Sequence, residues 1–125
     1  MIVYISGKMT GLPDKGRGLF HATADRLRAR GFAVIDPAAL PDDLPATAYM
    51  PICLAMLAQA DAILLLPGWE DSAGALVEKA FAEYQQKEIL VMGPDKTMDS
   101  ASYVTADAVT PANQKPNRNQ KENNV

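Results

Sequence analysis

The sequence predicts an α/β domain built on a parallel sheet of four to five strands, with helices on both faces. Four short apolar runs rich in branched residues alternate with three segments of helical periodicity. Runs of this kind are typical of strands that are buried on both faces. Because strands and helices alternate, right-handed crossovers and parallel pairing follow, and we expect the strand order 2-1-3-4.

The first half of the domain holds two strands and a helix. Residues 2–6, IVYIS, predict the first strand, and the Gly- and Pro-rich stretch 7–18 predicts a loop. Residues 19–30 keep helical spacing and end at Gly31, a common helix stop. Residues 32–36 predict the second strand, which Pro37 ends.

A second helix is expected over 49–60, with Pro51 in its first turn, where a missing N–H costs nothing. The third buried strand, 62–66, follows it directly. We expect one apolar face of this helix to pack on the sheet, formed by Tyr49, Ile52, Cys53, Met56, Leu57 and Ala60.

The third helix begins after a polar loop, with Asp71 or Ser72 as its N-cap, and runs to about Gln86. The fourth strand, 89–92, ends at Gly93. The helix is predicted to face the core with Val77, Ala80, Phe81 and Tyr84.

We divide the chain into an α/β domain, 1–95, and a polar tail, 96–125. The tail is rich in Asn, Gln, Lys and Pro and has too few large apolar residues to offset its ordering entropy, so we expect it to be disordered. The stretch SYVTADAV within it would at most add a frayed edge strand.

Composition excludes several functional classes. The net charge is −3, which argues against binding a nucleic acid polymer. The first residues do not resemble a signal peptide and no apolar run could span a bilayer, so we expect a cytoplasmic protein with no membrane partner. The lone cysteine and the lone His21 have no metal-ligand spacing, and we predict neither a metal nor another cofactor.

Two loops are predicted to meet at a ligand site. In an open parallel sheet, ligands bind at the carboxyl ends of the strands, where the winding direction reverses. With the order 2-1-3-4, this point lies between strands one and three. The loops there are SGKMTG, 6–11, and PGWEDSAG, 67–74.

Glu78 is the candidate reactive group, about one turn into the third helix. A carboxylate at this position would be stabilised by the helix dipole and could attack the anomeric carbon of a sugar. Gly74 would allow close approach of a ligand, and Ser72 would hold a hydroxyl or a phosphate. From spacing alone, an ordinary first-turn acid remains the alternative.

Other residues have two readings each. Trp69 would either stack on a nucleobase or anchor its loop against the sheet. Tyr4 would pack in the core, and a role for its hydroxyl at a ligand is implied only by the family resemblance given below. Lys8 does not complete a phosphate-binding P-loop, since Met9 stands where Ser or Thr is required, but it would still meet a phosphate as a single charge.

Three motifs together resemble the nucleoside 2-deoxyribosyltransferase-like superfamily, and in particular a small bacterial and phage branch of it. They are YISGKMTG, LLPGW and DSAGALVE, and the resemblance covers about residues 1–92. It implies a flavodoxin-like three-layer sandwich and a homodimer or higher homo-oligomer. It also implies that Glu78 is the nucleophile, within the run Ser72-x-Gly74-x-x-x-Glu78, and that Tyr4 and Gly7 shape the pocket.

The function implied is transfer or hydrolysis of the N-glycosidic bond of a small-molecule nucleoside or nucleotide. Glu78 would be catalytic, and the substrate-binding residues would be Tyr4, Gly7, Trp69, Asp71, Ser72 and Gly74.

The sequence departs from the family at Cys53. Enzymes of the family carry an Asp at that point, in a pattern like Tyr-Met-x-x-Asp-Leu, whereas this chain has YMPICL. A neutral thiol cannot replace a carboxylate in acid–base chemistry. Asp71 is the nearest candidate to take over the role of this Asp, and Asp42 and Asp43 are weaker candidates. A nucleotide-binding module with little or no turnover is therefore the alternative function.

Overall fold

A computed structural model of the chain describes residues 1–93 and 103–105. They form one five-stranded sheet in the order β2-β1-β3-β4-β5, in which β1 to β4 are parallel and β5 runs antiparallel beside β4. The strands are β1 (Ile2–Ser6), β2 (Ala33–Ile35), β3 (Ala62–Leu65), β4 (Glu88–Met92) and β5 (Tyr103–Thr105). The helices are α1 (Arg17–Ala29), α2 (Ala46–Ala58) and α3 (Ala73–Tyr84).

This architecture confirms the predicted α/β class, the flavodoxin-like arrangement and the order 2-1-3-4. The edge strand β5 falls within the stretch SYVTADAV. The remainder of the predicted tail, together with 94–102, lies outside the described residues, so its disorder stays a prediction. No helix in the described part of the chain is long and apolar enough to cross a membrane.

Two apolar clusters, one on each face of the sheet, make the structure a three-layer sandwich. On one face α1 packs Phe20, Ala24 and Leu27 against Val3 and Leu64 of the sheet. The other face is covered by α2 and α3, which pack together with residues such as Tyr4 and Ile63. Strands β1 and β3 are therefore buried on both faces, as their apolar sequences predict.

Helix α2 starts earlier than predicted, and Pro51 consequently lies inside it rather than in its first turn. The helix begins at Ala46, where Ala48 and Tyr49 donate their backbone N–H groups to Pro45. Pro51 has no N–H group, so it cannot donate the backbone hydrogen bond that an α-helix forms at this position. The loss is milder here because the first part of this helix faces solvent. The predicted core face of α2 is correct for Cys53 and Leu57 and wrong for Ile52, which is exposed.

The predicted core face of α3 is correct only for Phe81, which is partly buried and packs on the core cluster. Val77 and Tyr84 are 47% and 83% exposed, and the buried positions are Ala75, Glu78 and Ala82. Small residues let the helix approach the sheet closely, so the large side chains on its other face point outward. Glu78 therefore lies on the face of α3 that is buried against the sheet.

Candidate functional site

A cavity of about 740 Å³ opens at the carboxyl ends of the parallel strands. Its walls come from the loop after β1, the segment after β2, the start of α2 and the loop that leads into α3. This is the sheet edge where strand order 2-1-3-4 predicts a ligand, and the volume is within the range of small-molecule sites.

Glu78 lines the cavity and is buried, with 7% of the residue exposed. Both of its oxygens are occupied by hydroxyl donors from β1. The Tyr4 hydroxyl donates to Oε2 over 2.8 Å, and the Ser6 hydroxyl donates to Oε1 over 2.6 Å. We call Tyr4, Ser6 and Glu78 the floor of the cavity.

Opposing effects act on the ionisation of the floor. Burial raises the pKa of Glu78 above its ordinary value, while the hydrogen bonds from Ser6 and Tyr4 lower it in part. Burial, followed by the nearby Glu78, raises the pKa of the Tyr4 phenol, so this hydroxyl stays protonated and remains a donor. A carboxylate in this setting is desolvated but has its hydrogen-bonding partners.

Cys53 lines the cavity from α2 and is in contact with Tyr4. Its side chain is buried, and burial raises the pKa of the thiol to about 11. The group at the position where the resembled family has Asp is therefore a neutral thiol at pH 7. It offers neither a charge nor an acid of useful strength.

The start of α3 brings three predicted residues to the cavity. Ser72 is the N-cap, as predicted, and its hydroxyl accepts a hydrogen bond from the backbone N–H of Ala75 over 3.1 Å. Asp71, Ser72 and Gly74 all line the cavity. A Cβ at Gly74 would lie 3.3 Å from the methyl carbon of Met50, so the glycine lets α2 and α3 approach each other closely here.

Gly7 and Tyr4 occupy different places at the end of β1. Gly7 lines the cavity, and a Cβ at this position would lie 2.9 Å from Cβ of Leu66, too close to be accommodated without a shift. Tyr4 does not line the cavity but supports it from behind, within the core cluster shared by α2 and α3.

The structure places Trp69 in the core and not among the residues that line the cavity. Its side chain is 9% exposed and packs within the same cluster as Tyr4. The Lys79 ammonium lies 5.7 Å from the centre of the indole ring. Of the two predicted roles, this position fits the loop anchor, and it gives a nucleobase no open ring face inside the cavity.

Three cationic side chains line the outer part of the cavity, and we call them the rim: Lys8, Lys15 and Arg17. Arg17 forms an ion pair with Asp42 and donates to the Ala38 carbonyl over 3.4 Å. Within the described residues, no carboxylate pairs with Lys8 or Lys15. Lys15 has a positive φ of 57°, a conformation that is uncommon outside glycine.

The rim is held by the start of α1. The Asp14 carboxylate accepts hydrogen bonds from the backbone N–H groups of Gly16 and Gly18, each over 2.9 Å, and these bonds lower the pKa of Asp14. Asp14 thus closes the turn that carries Lys15 and fixes where Arg17 enters the helix.

Sequence reasoning missed Ser6, Lys15 and Arg17 as site residues. Ser6 carried a usable signal, because it is the polar residue at the carboxyl end of an otherwise apolar buried strand. The two cations carried none, because a loop rich in Gly, Pro and Lys does not reveal which side chains point inward.

The remaining sequence candidates are His21, a metal site, and the two aspartates Asp42 and Asp43. His21 lies at the surface, and its Nδ1 is 2.6 Å from the Asp36 carboxylate. Among residues 1–93 and 103–105, no group of three or more His, Cys, Asp and Glu side chains is placed to hold a metal ion. Asp43 is exposed and is not among the residues that line the cavity, whereas Asp42 is.

Residues 1–91, which include every strand and helix up to β4, match the family model described as "Domain of unknown function (DUF4406)". No curated protein matches the sequence.

Proposed function

We propose a function for this chain, which belongs to the DUF4406 family, from the chemistry of its cavity: it cleaves the N-glycosidic bond of a nucleoside or nucleotide, with Glu78 as the nucleophile. The observation that carries this proposal is the floor. Glu78, which is 7% exposed and whose carboxylate accepts hydrogen bonds from two hydroxyls, lines a cavity of small-molecule size. The resemblance to the nucleoside 2-deoxyribosyltransferase-like superfamily, at the run that ends in Glu78, agrees with this chemistry.

In the first step, an oxygen of the Glu78 carboxylate attacks C1′ of the sugar. The C1′–O bond forms as the C1′–N bond breaks, and the base leaves with the electron pair of that bond and takes up a proton. The product is a glycosyl ester of Glu78. Asp71 is the carboxyl side chain of the cavity wall that we assign to deliver this proton, because Asp42 is paired with Arg17.

In the second step, a nucleophile attacks C1′ of the ester, and the Glu78 carboxylate leaves. Water gives the free sugar and makes the reaction a hydrolysis, whereas a second base gives a new nucleoside and makes it a transfer. Asp71 would take the proton that the incoming nucleophile loses. The two steps return the floor to its starting state.

The rim favours a substrate that carries a phosphate. Lys8 and Lys15 line the same cavity as Glu78 and have no carboxylate partner among the described residues. A phosphate matches such ammonium groups, which act on it as point charges. We therefore place the 5′-phosphate of a nucleotide at the rim while the sugar lies over the floor.

A binding module without turnover is the second candidate, and Cys53 is the observation that favours it. Its thiol is neutral at pH 7 and lies beside Tyr4, where the resembled enzymes have a carboxylate. Positioned acid–base groups are worth about two to four powers of ten in rate. Without one at this point, the pocket would hold a nucleotide and release it unchanged.

The deciding experiment measures base release by chromatography. The protein is incubated with each 2′-deoxynucleoside and each 5′-monophosphate, with and without a second free base. We expect release from the monophosphates and a loss of at least about a thousandfold in Glu78→Gln, because this change removes the nucleophile but keeps the shape. Products that contain the second base identify a transferase.

Matched variants separate the two candidates. Release that continues unchanged in Glu78→Gln contradicts the proposed chemistry. Binding of a monophosphate without release, at concentrations well above Kd, favours the binding module. Cys53→Asp then restores the carboxylate, and release that begins in this variant identifies the missing group.

A further inference from the structure

We infer that Ser6 is a positioning residue for Glu78: its hydroxyl fixes the carboxylate oxygen that faces the cavity and so aims it at the ligand. This inference rests on the proposed function. It concerns a residue that the motifs did not single out, at the last position of β1.

The two hydroxyls of the floor approach Glu78 from different sides. Tyr4 holds Oε2 from within the core and does not line the cavity, whereas Ser6 holds Oε1 and lines it together with Glu78. The contact of Ser6 is the shorter of the two, at 2.6 Å, in the range of a charge-assisted O–H···O bond. Ser6 therefore sets the direction of Oε1, the oxygen that would face a sugar bound as the proposed function requires.

The backbone of Ser6 cannot move away from this contact easily. Its side chain is fully buried, and its carbonyl accepts a hydrogen bond from the Leu66 N–H over 2.8 Å. Parallel pairing with β3 places Ser6 opposite Leu65. A donor on a central strand is held more accurately than one on a loop, which is the requirement for aiming a reactive group.

The ionised carboxylate has no hydrogen to give, so both hydroxyls must act as donors. The single hydrogen of Ser6 then points at Oε1. Because its side chain is fully buried, Ser6 acts on the ligand only through Glu78.

Ser6 also favours the ionised form of Glu78, which is the form that attacks. Burial raises the pKa of Glu78, and the Ser6 hydrogen bond is the largest effect that lowers it. The titratable groups that face Glu78 from β1 and α2 are Tyr4, Cys53 and Tyr49. The remaining charged side chains of the cavity wall are Lys8, Lys15, Arg17, Asp42 and Asp71.

The test compares Ser6→Ala with Ser6→Thr, which keeps the hydroxyl, and Ser6→Cys, which keeps the size but donates weakly. We expect Ser6→Ala to lower kcat for base release about tenfold at pH 7, the value of one hydrogen bond to a charged group. We expect the acid limb of its pH–rate profile to move to higher pH, and Ser6→Thr to recover both properties.

A second readout does not depend on activity. Carbon NMR of the glutamate carboxyl groups follows the titration of Glu78, whose signal is identified by its loss in Glu78→Gln. We expect this titration to move to higher pH in Ser6→Ala and Ser6→Cys and to stay in place in Ser6→Thr. A folded Ser6→Ala protein in which neither the titration nor the acid limb moves overturns the inference.

The two proposals fail in different ways. Release that persists in Glu78→Gln overturns the proposed function, whatever Ser6 does. Release that disappears in Glu78→Gln but is unaffected in Ser6→Ala, with an unmoved titration, overturns the role of Ser6 alone. Equal loss of base release in Ser6→Ala and Ser6→Thr, with no change in the titration of Glu78, would show that Ser6 has only a packing role. This outcome also overturns the inference.

Discussion

The floor and the rim of the cavity are built in opposite ways. The floor is buried, and each polar group in it has a partner that the sheet or α3 holds in place. The rim comes from the loop after β1 and the first residue of α1, and two of its three cations have no carboxylate partner within the described residues. The fixed carboxylate of the floor suits a reaction in which one oxygen must be positioned accurately against one carbon. The cations of the rim suit the less exact binding of a charged group.

Tyr4→Phe against Tyr49→Phe gives the largest expected effect in this comparison. The Tyr4 hydroxyl holds Glu78 in the floor, whereas the Tyr49 hydroxyl donates to the Pro37 carbonyl over 2.9 Å at the cavity wall. Loss of a donor to a buried charged acceptor costs about 2 kcal/mol of unfolding free energy, and loss at half-buried Tyr49 about half as much. Urea denaturation of both variants measures the difference. Equal losses would show that the floor is no more tightly built than the wall.

The next effect concerns the rim alone. We expect Lys8→Met with Lys15→Met to raise KM for 5′-monophosphates about tenfold and to leave KM for the unphosphorylated nucleosides unchanged. Steady-state kinetics on both substrate series checks this, with Arg26→Met, an exposed cation of α1 outside the cavity, as the control for lost surface charge. An equal rise in KM for both series would contradict a phosphate site at the rim.

The smallest effect is a gain in stability from Glu78→Gln. Because the pKa of Glu78 is raised in the folded state, the folded protein holds a proton that the unfolded chain releases, between the ordinary pKa of Glu and the raised one. Folding stability therefore falls as pH rises through this window. The neutral variant avoids this loss, and we expect it to be more stable than the natural protein at pH 7.

Thermal unfolding across pH measures this gain. Tm should be higher in the variant at pH 7, and the difference should vanish below the ordinary pKa of Glu, where both proteins carry a neutral side chain. A variant that is less stable than the natural protein at neutral pH would show that the hydrogen bonds of the floor outweigh its desolvation.

The sequence predicted the sheet well because buried parallel strands have a strong local signature. The limits of β1 and the strand order follow from apolar runs and from the alternation of strands with helices. The same reasoning failed for α3, where size suggested that Val77 and Tyr84 were core residues. In the structure, Ala75 and Ala82 allow close packing, and no local pattern shows which face of an Ala-rich helix the sheet will select.

The candidate site was predictable where a motif marked it and not where a loop formed it. Glu78, Ser72 and Gly74 lie in one run of sequence, and all three line the cavity. Lys15 and Arg17 come to the cavity through the turn that Asp14 closes, and the φ of 57° at Lys15 cannot be derived from residue types. Side-chain direction in such a loop is a tertiary property.

The distance along the chain between the parts of the floor determines when the site can form. Glu78 is 74 residues from Tyr4 and 72 residues from Ser6, and β3 must pair with β1 for α3 to reach them. Contacts of such long sequence separation form slowly, because loop closure precedes any gain from the contact. During synthesis, the residues of β1 are made long before those of α3. At that stage the Ser6 hydroxyl has no carboxylate to bind. The titration of Glu78 therefore reports on completed folding, and a chain that ends before α3 lacks the carboxylate that the Tyr4 and Ser6 hydroxyls bind.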